Sequence, residues 1–311
     1  MSSIQLFKIK DKVEHLPGAT VLLESSLQRL IEENMEKFFD ITFLAREYST
    51  GPVHGGRIDS LGLDDTNCPV IFEYKRSLNE NVINQGLYYY DWLMDHKAEF
   101  ELLVQKNIGR ERSDLIAWDE SRLVCIAGDF TKFDEHAIKQ INRNIELIRY
   151  IKYGEDFLLF ELVNKTTVKS MTGPMLMRVG TEPKPSSVSV KNGYKTAEQY
   201  LEQSSQELKD LFAALKEYCL SLGDDVSLKT GKNQFVFKRY SNFVCIEAHP
   251  RDQELVFYLK VDPSTVTPKG GLTRDMRATG HWGTGDLEVR VRDMDRLEEV
   301  KPLIQISYEN S

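Results

Sequence analysis

Between Val163 and Thr196 the chain reads VNKTTVKSMTGPMLMRVGTEPKPSSVSVKNGYKT, a stretch rich in Thr, Ser, Gly, Pro and Lys without sustained apolar periodicity. Such a segment has no apolar face to bury, so a chain interrupted by it must build its cores on either side. The sequence therefore divides into a first domain over 1–163, a linker over 164–196 and a second domain over 197–311. With 311 residues, 41% of them hydrophobic, both sides can hold a core of ordinary size.

Before the linker, strand and helix patterns alternate, which predicts a mixed α/β unit. Residues 4–10 alternate as a short strand, and LLESSLQRLIEENMEKFF (22–39) places Leu23, Leu27, Leu30, Ile31 and Met35 at helical spacing. Strands are expected at 41–46, 57–63, 69–75, 122–128, 146–152 and 157–163. NENVINQGLYYYDWLMDH reads as a helix through Val82, Ile83, Leu87 and Tyr90, and a further helix is expected near 133–145. After the linker, a long helix ends near Gly223, where a cap belongs. Strands at 233–239, 242–248, 254–260 and 286–292 and a last helix at 294–308 make a small α+β domain.

Several classes are disfavoured. The longest apolar runs, such as FLLF at 157–160, fall far short of the ~20 residues of a membrane span. The opening MSSIQLFKIKDKVEHLPG lacks the apolar block of a secretory signal, so a cytoplasmic location is expected. Cys68, Cys125, Cys219 and Cys245 are scattered among apolar neighbours, which is the pattern of buried thiols and not of a zinc knuckle. A net charge of −8 argues against a broad basic surface but permits a local basic groove.

The most informative stretch is GGRIDSLGLDDTNCPVIFEYKRS, residues 55–77. Glu-x-Lys triplets are common: Glu182–Lys184, Glu207–Lys209 and Glu299–Lys301 are others in the same chain. Glu73-Tyr74-Lys75 differs in ending the apolar strand PVIF, where Glu73 and Lys75 share one face and Tyr74 takes the other. A turn rich in Asp, Thr, Asn and Pro then brings Asp59 alongside on the preceding strand. Two carboxylates with open coordination positions suit Mg2+ or Mn2+, with the Tyr74 carbonyl as an extra ligand and Lys75 placed to steady a phosphate or a water. The bland alternative is an ion pair between neighbouring strands.

The order Glu24 on the first helix, GRID with Asp59, EYK with Glu73 and Lys75, and QGLYY with Gln85 and Tyr89 resembles the PD-(D/E)XK, or restriction endonuclease-like, nuclease superfamily, in its NucS-like and RecB-like branches. More widely, residues 1–163 resemble an uncharacterised bacterial group that pairs such a domain with a small carboxy-terminal one. The resemblance implies a mixed-sheet core flanked by helices, with Asp59 and Glu73 as metal ligands and Lys75 assisting the attacking water. It further implies that Glu24 supports the metal through water and that Gln85 and Tyr89 contact the substrate or the site. Ile58 stands where the superfamily has proline. The implied activity is metal-dependent hydrolysis of nucleic acid, DNA ahead of RNA. A homodimer is admitted, although no dimer surface is legible. The competing function is a catalytically silent nucleic-acid or protein binding module on the same fold, with no role for a membrane in either case.

Around this cluster, Arg57, Lys75 and Arg76 form a modest basic patch that could meet phosphates. Arg110 and Arg112 are expected on a loop, with Arg143 and Arg149 as further basic candidates, though charge runs are usually solvated. Glu32, Glu33 and Glu36 read as a solvated face and His54 as a loop histidine. GHWGTGDLEVRV (280–291) reads as a turn feeding a strand. Arg274, Arg277, Arg290 and Arg292 could bind nucleic acid, dock the two domains or face water.

Overall fold

Two strands buried along almost their whole length, Pro69–Lys75 and Arg122–Ala127, form the centre of the first sheet. The computed structural model describes residues 4–9, 12–19, 24–75, 82–168, 196–231, 233–239, 241–267, 269–279 and 284–311. In chain order the first part contains β1 (Leu6–Lys8), β2 (Glu14–Leu16), β3 (Gly18–Ala19), α1 (Glu24–Glu33), α2 (Met35–Phe39), β4 (Ile41–Ser49), α3 (Gly51–His54), β5 (Arg57–Asp64) and β6 (Pro69–Lys75). It continues with α4 (Val82–Asp95), α5 (Lys97–Asn107), α6 (Arg110–Asp114), β7 (Arg122–Ala127), α7 (Lys132–Lys139), β8 (Asn144–Tyr153) and β9 (Phe157–Thr166).

The sheet order is β3-β8-β7-β6-β5-β4, with β9 paired to β8. It is mixed: β6, β7 and β8 run parallel, while β4–β5, β5–β6, β3–β8 and β8–β9 are antiparallel. The period-two alternation of a strand then feeds two cores. Val70, Phe72 and Tyr74 pack with Leu27, Ile31, Met35 and Phe39 of α1 and α2. Ile71, Leu61 and Leu123 pack on the opposite face with Ile83, Trp92 and Leu93 of α4 and Phe100 of α5.

The second part holds α8 (Ala197–Glu202), α9 (Gln206–Ser221), β10 (Ser227–Thr230), β11 (Phe235–Lys238), β12 (Asn242–His249), β13 (Glu254–Leu259), β14 (Thr273–Asp275), β15 (Leu287–Val291) and α10 (Met294–Glu309). Its sheet, β10-β11-β12-β13-β15-β14, is antiparallel throughout. Leu211, Leu215, Val300 and Ile304 of α9 and α10 cover one face, against Phe237, Ile246 and Phe257. The chain is thus a mixed-sheet α/β core flanked by helices with a second α+β unit. Among the described residues no helix is long and apolar enough to cross a membrane.

Several expected elements are divided or displaced. The helix expected at 22–39 is two helices, because Asn34 leaves helical geometry at φ −131° and bonds its side chain back to the Leu30 carbonyl; residues 22 and 23 lie outside the described residues. The long helix after the linker is broken at Ser205, whose hydroxyl accepts the Leu208 N–H and so starts a new helix. Its last residue is capped by Leu222 at φ −70°, not by Gly223. Gly223 instead lets the chain pass close to Tyr308, whose hydroxyl would lie 2.5 Å from an added Cβ. The helix expected to reach 145 stops at Lys139, and β2, β3, α3, α5, α6, β10 and β14 are additional. Most of the 164–196 stretch, like Gly280–Gly283, lies outside the described residues, and β9 extends to Thr166.

The two parts meet at the β5–β6 turn. Asp64 closes that turn by accepting from the Thr66 and Cys68 N–H groups at 2.9 and 2.8 Å, and Asn67 supplies the positive φ of 61°. Lys229 of β10 reaches into it, with Nζ 2.9 Å from Thr66 Oγ1 and 3.5 Å from Asp64 Oδ2. Arg122 pairs with the same Asp64 carboxylate. Asp65 receives Asn242 and Thr284, and Lys260 lies 2.6 Å from Asp40. The second unit is therefore clamped to the first through side chains of opposite sign.

Candidate active site

β5 and β6 are paired from Leu63↔Pro69 to Ser60↔Phe72, and the register goes no further. Beyond that point side chains occupy the main-chain groups of Asp59. Its N–H donates to Glu73 Oε1 at 3.3 Å, and its carbonyl accepts from Gln28 Nε2 at 2.8 Å. In return Asp59 Oδ2 accepts the Tyr74 N–H at 3.0 Å. The end of the ladder thus opens a gap between strands in which both carboxylates sit side by side.

Glu73 is fully buried, and among the described residues its Oε2 has no hydrogen-bond partner. Burial, followed by the repulsion of Asp59, pushes its pKa up to about 9. Burial also raises Asp59, although the Tyr74 N–H and Lys75 work in the opposite direction. Lys75 follows on the same strand, and its ammonium lies 3.6 Å from Glu24 at the start of α1. Asp59, Glu73, Lys75 and Glu24 are therefore brought together by two strand ends and one helix start. Tyr74 turns its ring into the opposite core, beside Phe72, as the alternation requires.

A second layer of polar residues supports this group. Gln28 and Glu32 lie one and two turns after Glu24 on α1, and both are buried. Glu32 Oε1 accepts from Gln28 at 3.0 Å and from Ser60 Oγ at 2.6 Å, while Arg46 pairs with Oε2. Glu32 is thus not part of a solvated face; its charge is buried because side chains from α1, β4 and β5 satisfy it. The signal in the sequence was slight: Gln28 and Glu32 each directly follow a core residue, Leu27 or Ile31, on the edge of the apolar stripe. Glu33 is exposed and pairs with Arg29, as a surface acid would.

The other expected contacts divide. Tyr89 is buried, with its hydroxyl accepting the Arg57 N–H at 3.2 Å and lying 3.4 Å from Gln85 Nε2, so this pair holds the start of β5. The Arg57 guanidinium is exposed and pairs with Glu47 at 2.6 Å. Arg76 lies outside the described residues. Arg112 is not on a loop: it lies in α6 and donates to the Asn67 side chain at 2.7 Å and to the Asp64 carbonyl, which anchors the β5–β6 turn. Arg110 pairs with Asp114 one turn along the same helix. Arg143 stacks over Tyr90, and Arg149 is held by Glu161 and Asp129. His54 ends α3 and packs its ring against Tyr88 and His96.

In the second unit His249, Asp252 and Glu254 lie close enough together to hold an ion. Arg290 and Arg292 already engage the two Glu254 oxygens at 2.7 and 2.9 Å, however, so that carboxylate is compensated. Arg277 is paired with Asp275 and Asp262. All four cysteines are buried, and burial raises every thiol, Cys68 to about 11.

Residues 197–311 match a domain of unknown function, DUF5655. Over 301 residues, 95% of this chain and 96% of the relative, the sequence is 27% identical to an uncharacterized protein of Haemophilus influenzae. Among solved structures, a repair endonuclease from Pyrococcus abyssi aligns over 47% of this chain and 60% of its own, at 17% identity and a TM-score of 0.28. An EndoMS structure in complex with double-stranded DNA aligns over 42% of this chain and 46% of its own, at 20% identity and a TM-score of 0.25. The chain thus spans less than two thirds of either solved structure.

Proposed function

We propose that this chain is a metal-dependent nuclease that hydrolyses phosphodiester bonds in DNA or RNA, with DNA the expected substrate. The observation that carries this reading is the buried Glu73 Oε2 beside Asp59, without a hydrogen-bond partner among the described residues. Two carboxylates whose pKa values are both raised form a site short of positive charge, and an all-oxygen donor set of this kind fits Mg2+ or Mn2+. Asp59 and Glu73 would hold the ion, with the Tyr74 carbonyl as a further oxygen ligand. A divalent ion there would supply Lewis acidity to the phosphoryl group and to the attacking water.

The remaining chemistry belongs to the chain. Lys75 carries its ammonium at the mouth of the pair, where it orients the water and offsets charge gathering on the phosphate. Glu24, 3.6 Å from Lys75, keeps that ammonium from swinging away and offers a water-mediated contact to the ion. Gln85 and Arg57, beside the start of β5, are available to the flanking backbone. Tyr89 acts by holding Arg57 and Gln85 in place.

The test is cleavage of labelled single- and double-stranded DNA and RNA in Mg2+ or Mn2+, alongside calorimetric titration of Mn2+. Wild type should cut and bind, and Glu73→Ala should do neither while keeping its circular dichroism. Nucleic-acid binding by wild type with neither cleavage nor Mn2+ uptake would assign the chain to the binding-module class instead.

A further inference from the structure

We infer that Gln28 is a positioning residue for Asp59, its side-chain amide spanning the gap between the buried Glu32 carboxylate and the Asp59 carbonyl. The inference rests on the proposed metal site and adds the element that sets its geometry. One nitrogen, Gln28 Nε2, makes both contacts, 3.0 Å to Glu32 Oε1 and 2.8 Å to Asp59 O. A flipped amide would set its oxygen against two acceptors, so Glu32 allows one orientation only. Glu32 is itself locked by Ser60 Oγ at 2.6 Å and by Arg46. Ser60 directly follows Asp59, and the same carboxylate therefore fixes both the Asp59 carbonyl, through Gln28, and the residue after it.

The position of this clamp gives it a purpose. Asp59 lies one residue beyond the end of the β5–β6 register, so no β6 ladder partner takes its own N–H and carbonyl, while β4 pairs with Ile58 and Ser60 on either side of it. From β6 it is held by the Glu73 carboxylate, which a metal ion would recruit, and by the Tyr74 N–H, which would stay on Asp59 Oδ2. Gln28 holds the Asp59 carbonyl from outside the metal pair. Because Gln28 and Glu24 are one helical turn apart, α1 positions both the Asp59 peptide and the acid that meets Lys75. Residues that orient metal ligands in this way typically change metal affinity or activity by about 10–100-fold when replaced.

The experiment uses the full-length protein and Gln28→Met, which keeps the length of the side chain and removes both donors. Mn2+ affinity is read directly from the free-ion paramagnetic resonance signal, and thermal melting without metal separates folding from positioning. Gln28→Met should bind Mn2+ about tenfold more weakly, and the Mn2+ midpoint for cleavage should move by the same factor, with cleavage recovered at saturating metal. Should Gln28→Met fail to fold, Gln28→Asn, whose amide is one methylene too short to bridge Glu32 and Asp59, should show the same loss. A folded variant with wild-type Mn2+ affinity overturns the inference while leaving the metal site intact. Absence of Mn2+ binding by wild type overturns the metal site and this inference with it.

Discussion

The Asp59 main-chain N–H donates to Glu73 Oε1 at 3.3 Å, one residue past the last paired position of β5 and β6. This contact turns a strand end into a carboxylate pair. It leaves Glu73 Oε2 buried and, among the described residues, without a hydrogen-bond partner, and the cost of ionising the carboxyl there makes the fold sensitive to both pH and divalent metal.

A carboxyl whose folded pKa is raised destabilises the fold as pH rises, because the unfolded chain releases its proton first. For Glu73 the window runs from the ordinary value of 4.5 to about 9. Across it, in chelator, this one group should lower stability by up to about 1.4 kcal/mol per pH unit. Glu73→Gln removes the titration, so it should melt higher than wild type at pH 8 and approach wild type near pH 4. Melting curves at both pH values check this, and added Mn2+ should narrow the difference at pH 8 by stabilising wild type alone.

Glu32→Ala should destabilise the protein by about 3 kcal/mol, since it strips a buried acceptor from Gln28, Ser60 and Arg46 at once. Glu33→Ala, one residue along, should stay within about 0.5 kcal/mol of wild type. Urea unfolding of the two variants in parallel separates a buried acid from a solvated one.

At the other end of the same strands, burial works to raise the Asp64 pKa, but Lys229 and Arg122, joined by the Cys68 N–H and Thr66, outweigh it and hold the carboxylate well below its usual range. A depressed carboxylate contributes stability above its unfolded pKa and loses it as pH falls through the folded value. Asp64→Ala leaves Arg122 and Lys229 buried together and should cost about 3–5 kcal/mol. Stability curves below pH 4 should fall more steeply for wild type than for the variant.

Much of this arrangement was legible in the sequence. Glu73 and Lys75 end a strand whose alternation is visible in PVIFEYK, and Asp59 lies on the strand before it, across a turn written in Asp, Asn and Pro. The mixed α/β core and the second α+β unit followed from the order of apolar periods. The break at Ser205 was missed, because the stretch reads as one long helix until the Ser205 hydroxyl is seen to accept the Leu208 N–H. What was hidden depends on partners distant in the chain. Glu32 looks like its neighbours Glu33 and Glu36 until Ser60 and Arg46 arrive from β5 and β4. Arg112 reads as part of a solvated charge run, yet it is half-buried and bonded to the β5–β6 turn. Lys229 sits in a short strand with no distinctive pattern, and only tertiary contact pairs it with Asp64.

Above all, the proposed chemistry requires Lys75 to assist phosphodiester hydrolysis at a metal held by Asp59 and Glu73. The decisive comparison is wild type against Lys75→Ala in cleavage of labelled DNA and RNA, with Mn2+ affinity measured on the same samples. Wild type should cut only with metal, Lys75→Ala should lose at least about 100-fold in rate, and Mn2+ affinity should agree within a few-fold between the two. Equal cutting by both proteins, or no cutting by a wild type that binds nucleic acid, would rule out this role for Lys75.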